Sequence, residues 1–550
     1  MLSTILSILL NIFTPPVDYE ITLAGNFGEP RPHHFHGGLD IRTEGVEGKH
    51  IYAIADGYVS RITVGLNGFG NAVYITHPTG HTSVYCHLKS FSPRIKAALR
   101  RYQYAHETSE ADARLTPLDV PVSAGQFIAL SGNTGHSTAP HLHLEVHDTR
   151  TWDMLDPYEM LNDYITDAVP PQAHAVMAVP LGGSFNSSTS KTTFNPLVPE
   201  DDVLSAWGRV GFALWADDYM EGSHHHYGIR ETILLVDGRV AFHSIVDRVP
   251  TALNRMVNSW GDYDHYRRNR NWYMKSYIEP GNSLTILNAD ENRGVIDFCE
   301  ERPYRMEYIL RDYKGNESHY PFTVNGRRTS ISPSVSKGTG RLLRWNRTSV
   351  YSLPGMQLVI PYGLLAANAV FRPAVSRQPD DASDAYTFAD LSLPLMREAE
   401  LSIFARRPLT DEVIDTFDSS KLYLTDEAGH FLGGDYHDGW VTGYIRELGA
   451  RYQLAYDDQP PSVQLQGRED APVAADQLRL TVTDRQSGIA TWTATVDDRF
   501  IVFDAIEKSA TFACNFRESW LRPTGQSHLL RFTVTDNRNN TQTYETTFNY

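Results

Sequence analysis

Three short segments of this chain carry residue types that could do chemistry: His36-Gly37-Gly38-Leu39-Asp40, Tyr85-Cys86-His87-Leu88 and His141-Leu142-His143-Leu144-Glu145. Together they offer four histidines and the carboxylate of Asp40. A catalytic zinc needs three protein ligands of His or carboxylate type and one open position for water. The set can meet that need and still leave imidazoles beside the ion for proton transfer.

Spacing narrows the geometry. His36 and Asp40 lie four apart, which would suit one face of a helix, but two interior glycines cost about 1 kcal/mol each there. A turn is the expected alternative, with its two ends bringing imidazole and carboxylate together and the glycines letting the backbone pass close to an ion. His141 and His143 alternate with Leu142, Leu144 and Val146. That is the period of a strand with histidines on one face and apolar residues on the other. His87 closes a further strand, and the same alternation would turn Cys86 toward the core if His87 faces the site, as suits an often-buried residue type. Each fragment alone is common by chance. All of them in this order within one short β region is a much stronger signal.

The elements that must position these residues are mostly strands. Ile51–Ala55, Gly57–Ile62, Ala72–Thr76 and Thr82–Cys86 read as short strands between Gly, Asn and Pro. Ser92 to Glu107 breaks the pattern: Ile95, Ala98, Leu99 and Tyr102 recur at helical spacing behind Ser92 and Pro93. This helix lies between two site segments and could cover the groove. Ala168 to Asp201, rich in Pro, Ser, Thr and Ala, reads as a linker or irregular lead-in. Beyond it strands and turns are expected throughout, with a hairpin at Leu234–Ala241 about Asp237-Gly238. Tyr308–Asn316 and Phe532–Asn540 form a weak repeat, each a strand followed by a polar turn with Asp and Asn. His224-His225-His226 reads as a solvated loop, and Gln378-Pro379-Asp380-Asp381 as a polar loop.

The chain has 550 residues, enough for three or four cores. Its formal net charge of -17 leaves no basic surplus for phosphates, which argues against a nucleic-acid partner. Three distant cysteines, Cys86, Cys299 and Cys514, make no disulfide framework. Met1 to Phe13 is one short apolar stretch, too short for a membrane span and closer to a secretory signal, without a clear cleavage site.

The three segments, with Ala55-Asp56-Gly57, Gly68-Phe69-Gly70-Asn71, Val122-Ser123-Ala124-Gly125 and Ser131 through Glu145, resemble the lysostaphin-like, LytM-type zinc endopeptidases of peptidoglycan. The resemblance covers roughly Ile21 to Pro157, and its run Ser-Gly-Asn-Thr-Gly…Ser-Thr-Ala-Pro-His-Leu-His is highly specific. It implies one zinc held by His36, Asp40 and His143, with His87 and His141 as the catalytic histidines and Asn26 near the metal. Ala139 and Cys86 depart from the commonest family residues without removing a functional group. His136 and His147 are read as lying outside the ligand set, behind the ligands or along the substrate groove.

The expected fold is mainly β: an antiparallel β-sheet metallopeptidase domain with one inserted helix, followed by two or three Ig-like β-sandwich modules. The expected boundaries are 1–18 for a signal peptide, 19–168 for the peptidase domain, 169–330 and 331–456 for β modules and 457–550 for a C-terminal sandwich. The implied protein is exported to a bacterial periplasm or cell surface. It would cut peptide stems or cross-links of peptidoglycan, with no transmembrane helix in the mature chain and with β modules that engage an envelope or protein partner. A non-catalytic regulator or a surface adhesin is the alternative. The intact set of five site residues argues against the regulator, because a pure binder has no need for the two additional histidines.

Overall fold

Leu142, Leu144 and Val146 are completely buried, and they fix the strand His141–Asp148 in the middle of the first sheet. Its neighbours, Gly38–Arg42 and His81–Cys86, both run antiparallel to it. The sheet path is Leu23–Gly25, Gly38–Arg42, His141–Asp148, His81–Cys86, Ala72–Thr76, Gly57–Val64 and Ala111–Arg114. Its apolar face shares one core with Ile51 and Ile128 of a small three-stranded sheet and with Ile95, Ala98 and Leu99. The opposite face is left to His141, His143, Glu145 and His147. The computed structural model describes residues 12–195, 203–331, 340–377, 381–389, 392–406, 417–467, 476–506 and 509–550. Residues 1–11 of the signal segment, and 378–380 of the polar loop, lie outside the described residues. Thr14 N–H donates to the Ile54 carbonyl at 2.7 Å, and Val17 is buried in the first core.

The inserted helix spans Pro93–His106, with Pro93 in its first turn and Glu107 ending it in a left-handed conformation at φ 49°. Its polar side meets the C-terminal domain. Arg100 donates to both Asp504 oxygens (2.6 and 3.1 Å) and to Glu518 (3.1 Å), and Lys96 bonds Glu518 at 2.5 Å. Ser109 Oγ accepts from Phe503 N–H at 3.1 Å. Through Lys96 and Arg100 this helix docks against Asp504 and Glu518 of the C-terminal domain.

The expected linker is instead a long strand. Gln172–Phe185 pairs antiparallel with Leu204–Asp217, with a register shift at Pro180 to Gly183. Its small and β-branched residues, which read as irregular by composition, alternate well enough to bury Val176 and Ala178 in the second core. This region is hydrogen-bonded as one ten-stranded sheet, and it includes one parallel pairing, Leu204–Ala206 with Val324–Gly326. Asp237 and Gly238 both have positive φ, as the hairpin requires. Strands alone were expected here, yet short helices form at Val257–Trp260 and Tyr263–Asn269, the latter capped by Asp262 accepting from His265 N–H. With the 3-10 turn Thr251–Met256 before them, they clamp the segment leading to His36. Phe35 N–H donates to Asn254 (2.6 Å), His33 N–H to Asn258 (3.0 Å), and Tyr263 Oη lies 3.0 Å from His33 Nε2. The first sheet also crosses the boundary, since Met154–Leu155 pairs with Arg248–Val249.

Two further β regions follow. A five-stranded and a four-stranded sheet enclose a core that contains Phe371, Phe388, Leu401 and Leu454. Two four-stranded sheets enclose Trp492, Phe503, Phe512 and Phe532 at the C-terminus. No described helix is long and apolar enough to cross a membrane.

Candidate metal centre

In the antiparallel register, His143 stands directly opposite Asp40. Directly opposed residues share a face, so the imidazole and the carboxylate meet without any turn. The expected turn at His36–Asp40 is therefore a lead-in to a strand: His36 precedes Gly38–Arg42 and Asp40 sits within it. The four-residue spacing works because period two keeps both on one face. Gly37 makes room for what lies behind them, since a Cβ there would stand 2.5 Å from Glu145 Oε1.

Three donor atoms converge. His36 Nε2 lies 3.0 Å from Asp40 Oδ1 and 3.0 Å from His143 Nδ1, and His143 Nδ1 lies 2.8 Å from Asp40 Oδ1. Four-coordinate ligands about 2.0–2.1 Å from an ion stand about 3.3 Å apart, close to this triangle. The far sides of both rings are tied to acceptors. His36 Nδ1 donates to the Asn26 carbonyl at 2.6 Å, and His143 Nε2 donates to Glu145 Oε1 at 2.9 Å. Each ring thus has its far nitrogen committed, so that the inward nitrogen is the one that would bind an ion, the arrangement that metal-ligating histidines use. Asp40 turns its other oxygen to Arg31, which donates at 2.7 Å. Two imidazoles and one carboxylate form a donor set suited to a divalent transition metal or zinc.

Electrostatics agree with that role. Burial lowers the His36 pKa to about 4, despite the opposing pull of Asp40. Burial and the neighbouring His143 and His141 lower His87 to about 3. Burial would lower His143 as well, but its bonds to Asp40 and Glu145 outweigh that and raise it to about 9. Burial would raise Asp40, but His36, His141 and His143 hold it well below the usual carboxylate range. Two carboxylates thus hold a proton on His143 that a metal ion would displace.

His87 and His141 flank the triangle. His87 has φ 59°, and this left-handed break at the end of its strand swings the ring into the site. Its Nδ1 donates to the Thr134 carbonyl at 2.7 Å, leaving Nε2 as the free acceptor. That carbonyl is placed by a tight backbone crossing, where a Cβ on Gly135 would meet Gly68 O and Gly70 N at 2.4 Å. His141 Nδ1 lies 2.8 Å from the Ala139 carbonyl, and its Nε2 is 3.3 Å from Asp40 Oδ1. The two rings are 5.0 Å apart, centroid to centroid.

The same break corrects the expectation for Cys86. Cys86 is opposite His143 in the ladder, so it shares the site face rather than the opposite one. It is fully buried there in a small apolar cluster with Ala72, Tyr74 and Val84. Burial, then Glu145 and Asp40, push its thiol pKa well up, which makes it inert as a nucleophile. Cys299 is exposed and Cys514 buried. A thiol reagent should label Cys299 alone in the folded chain and all three cysteines after denaturation; rapid labelling of Cys86 in the native chain would contradict this placement.

Sequence reasoning gave no role to Glu145, whose second oxygen accepts from His147 Nε2 at 2.7 Å. Residues 141, 143, 145 and 147 alternate on one strand face, and that periodicity was the available signal. His147 thus reaches His143 through Glu145, while His136 is exposed. Asn26 touches the centre only through its carbonyl. Its amide group bonds Gly228 of the second β region twice, at 2.8 Å each. The His224–His226 run is exposed. Glu145→Gln removes the charge that orients His143 and should weaken metal affinity about 10–100-fold, as measured by competition with a chelating dye. Unchanged affinity would show that Glu145 does not set the ring.

Residues 34–104 match the model of Peptidase family M23, and residues 340–457 match that of the Zu5-like domain. An uncharacterized metalloprotease of Haemophilus influenzae is 33% identical over 120 residues, covering 22% of this chain and 19% of the relative. The DD-carboxypeptidase/endopeptidase Mpg of Neisseria meningitidis is 32% identical over 110 residues, covering 20% of this chain and 19% of its own length. The matched stretch is thus about a fifth of these curated relatives. Among solved structures, the catalytic domain of lysostaphin from Staphylococcus simulans aligns at 24% identity and TM-score 0.20, over 26% of this chain and 93% of that one. A zinc-containing peptidase from Vibrio cholerae aligns at 27% identity and TM-score 0.20, over 26% of this chain and 39% of that one. With the matched residues running from His34 through the Asp40 and His87 segments, the N-terminal domain of this chain is a peptidase family M23 domain.

Proposed function

We propose that this chain is an exported zinc endopeptidase that hydrolyses peptide stems or cross-links of bacterial peptidoglycan. The observation that carries the reading is the convergence of His36 Nε2, Asp40 Oδ1 and His143 Nδ1 within 3.0 Å of one another, with both rings oriented from behind by acceptors. Family membership supports a metal, and the His, His, carboxylate set with two free imidazoles beside it supports zinc and hydrolysis. The relative named DD-carboxypeptidase/endopeptidase Mpg supports the substrate class.

Zinc at this centre would polarise a peptide carbonyl and bring the pKa of a water toward neutrality. The chain's own residues supply the rest. His36, Asp40 and His143 hold the ion, and Arg31 and Glu145 keep the carboxylate and ring in register. His87, with Nδ1 committed to Thr134, presents a basic Nε2 that can take the proton of an attacking water. His141 stands beside it on the strand, near enough to steady the developing oxyanion or to return a proton to the departing amine. The two imidazoles are not divided further between those roles. The β regions would place the domain on the wall or on an envelope partner.

Purified walls incubated with the zinc-loaded chain should release soluble muropeptides, and mass spectrometry of those products should show one class of peptide bond opened. Intact walls after prolonged incubation with a zinc-replete chain would argue for the regulator or adhesin reading instead.

A further inference from the structure

The seam between the M23 domain and the second β region holds three carboxylates that the peptidase reading does not use. Asp167, Asp218 and Asp312 offer ligand atoms that all lie within 4.8 Å of one another. Asp218 and Asp312 are only 6% and 2% exposed. The weak repeat of the sequence explains how Asp312 is fixed. Asn316 N–H donates to Asp312 Oδ1 (2.9 Å), and its amide donates to Asp312 Oδ2 (2.6 Å) and to the Asp167 carbonyl (3.4 Å). Asp218 and Asp312 are buried and Asp167 is half-buried; like charges packed this closely repel, and such burial is costly unless something compensates.

Three buried polar atoms at this place have no protein partner: the oxygens Asp218 Oδ1 and Tyr158 Oη, and Arg230 Nε. Tyr158 comes from the M23 domain and is 6% exposed. After burial itself, the charges acting on its hydroxyl are those of Asp167, Asp312, Asp218 and Asp156, in that order. Asp167, Asp218 and Tyr158 line an enclosed cavity of about 20 Å³, together with Asn26, Asp156 and Arg230. That is room for one ion or one water. Arg230 does not answer the need of the cluster. Its guanidinium lies over the Tyr313 ring at 4.8 Å and acts on Asp156, whereas the main side-chain charges acting on Asp167 and Asp218 are other carboxylates. Burial and those neighbours raise Asp167 to about 7 and Asp218 to about 8.

We propose that Asp167, Asp218 and Asp312, completed by Tyr158 Oη, bind one Ca²⁺ ion that fastens the M23 domain to the second β region. An all-oxygen, carboxylate-rich set selects a hard cation, and Ca²⁺ accepts irregular oxygen shells. Mg²⁺ keeps several waters, for which this cavity has no room. The ion neutralises the cluster and gives both partnerless oxygens a ligand. It also steadies Asn26, which lines the same cavity and whose carbonyl orients His36. Asp457, Asp484 and Asp536 repeat the arrangement with Asn540 at the C-terminal junction. There none of the three carboxylates has a buried oxygen left without a partner, as Asp218 has, so the proposal stays with the first seam.

The test is equilibrium dialysis of radiolabelled Ca²⁺ against the zinc-loaded full chain, up to about 1 mM, the weak end of calcium modules. Asp218→Asn should bind one Ca²⁺ fewer per chain than the natural sequence, with unchanged zinc content. In calcium-free buffer this variant should melt no lower than the natural chain, because one of three repelling carboxylates is gone; Ca²⁺ should raise the melting temperature by less than it does for the natural chain. Tyr158→Phe, which loses only the hydroxyl, should bind the same ion several-fold more weakly and decides the matter if Asp218→Asn fails to fold. Equal stoichiometry and affinity in all three chains, no Ca²⁺ bound by the natural chain, or Mg²⁺ competing equally would each overturn the proposal.

Discussion

Asp40→Ala should yield a folded chain that retains no zinc after dialysis and releases no muropeptides from purified walls. The effect is large because Asp40 does three things at once. It supplies the only carboxylate among the three converging atoms, it balances two imidazoles, and it holds Arg31 at 2.7 Å. With two ligands left, a catalytic zinc loses the protein set it needs, and the affinity that remains is that of a histidine pair. Activity should fall to the uncatalysed background. The metal-free variant should also lose about 1–3 kcal/mol of stability, since the half-buried Arg31 forfeits its charge-assisted partner. Urea unfolding of the metal-free forms measures that part, and metal analysis measures the first. A variant that keeps one tightly bound zinc would remove Asp40 from the centre.

His87→Ala and His141→Ala should behave in the opposite way, with zinc retained at one per chain and turnover reduced about 10²–10⁴-fold in each. Neither ring belongs to the converging triangle, so neither is needed to hold the ion. Both present Nε2 toward it, with Nδ1 engaged by a backbone carbonyl at 2.7 and 2.8 Å. If the two imidazoles serve one proton-transfer sequence, the double variant should lose little more than the worse single one. Quantified muropeptide release gives the rates. Loss of zinc from either variant, or near-normal turnover in both, would mean that the roles are assigned to the wrong residues.

Much of the centre was legible because strand chemistry repeats every two residues. His141 and His143 alternate with leucines that have to be buried, and that alone put both imidazoles on the polar face. What pairs with that strand was not legible. The register that sets Asp40 opposite His143 is a long-range pairing, and without it the His36–Asp40 spacing reads as a turn. The left-handed His87 was hidden for a related reason: alternation is a rule for continuing strands, and this strand stops at Cys86. The Gln172–Phe185 strand was missed because small residues, Pro and Gly lower its propensity, while pairing along Leu204–Asp217 outweighs it. Glu145 lay in plain view in the sequence. Its role emerges only when His143 is seen to turn Nδ1 toward His36 and Asp40, so that Nε2 must find an acceptor.

The central claim is that one divalent ion is shared by side chains from two neighbouring strands and the segment before them. Anomalous diffraction at the zinc absorption edge, from crystals of the zinc-loaded chain, tests it most directly. The account predicts a single strong peak within about 2.0–2.2 Å of His36 Nε2, an Asp40 carboxylate oxygen and His143 Nδ1, with His87 and His141 outside bonding range. A peak that lies elsewhere, or one bonded to His87 or His141 in place of Asp40, would contradict it.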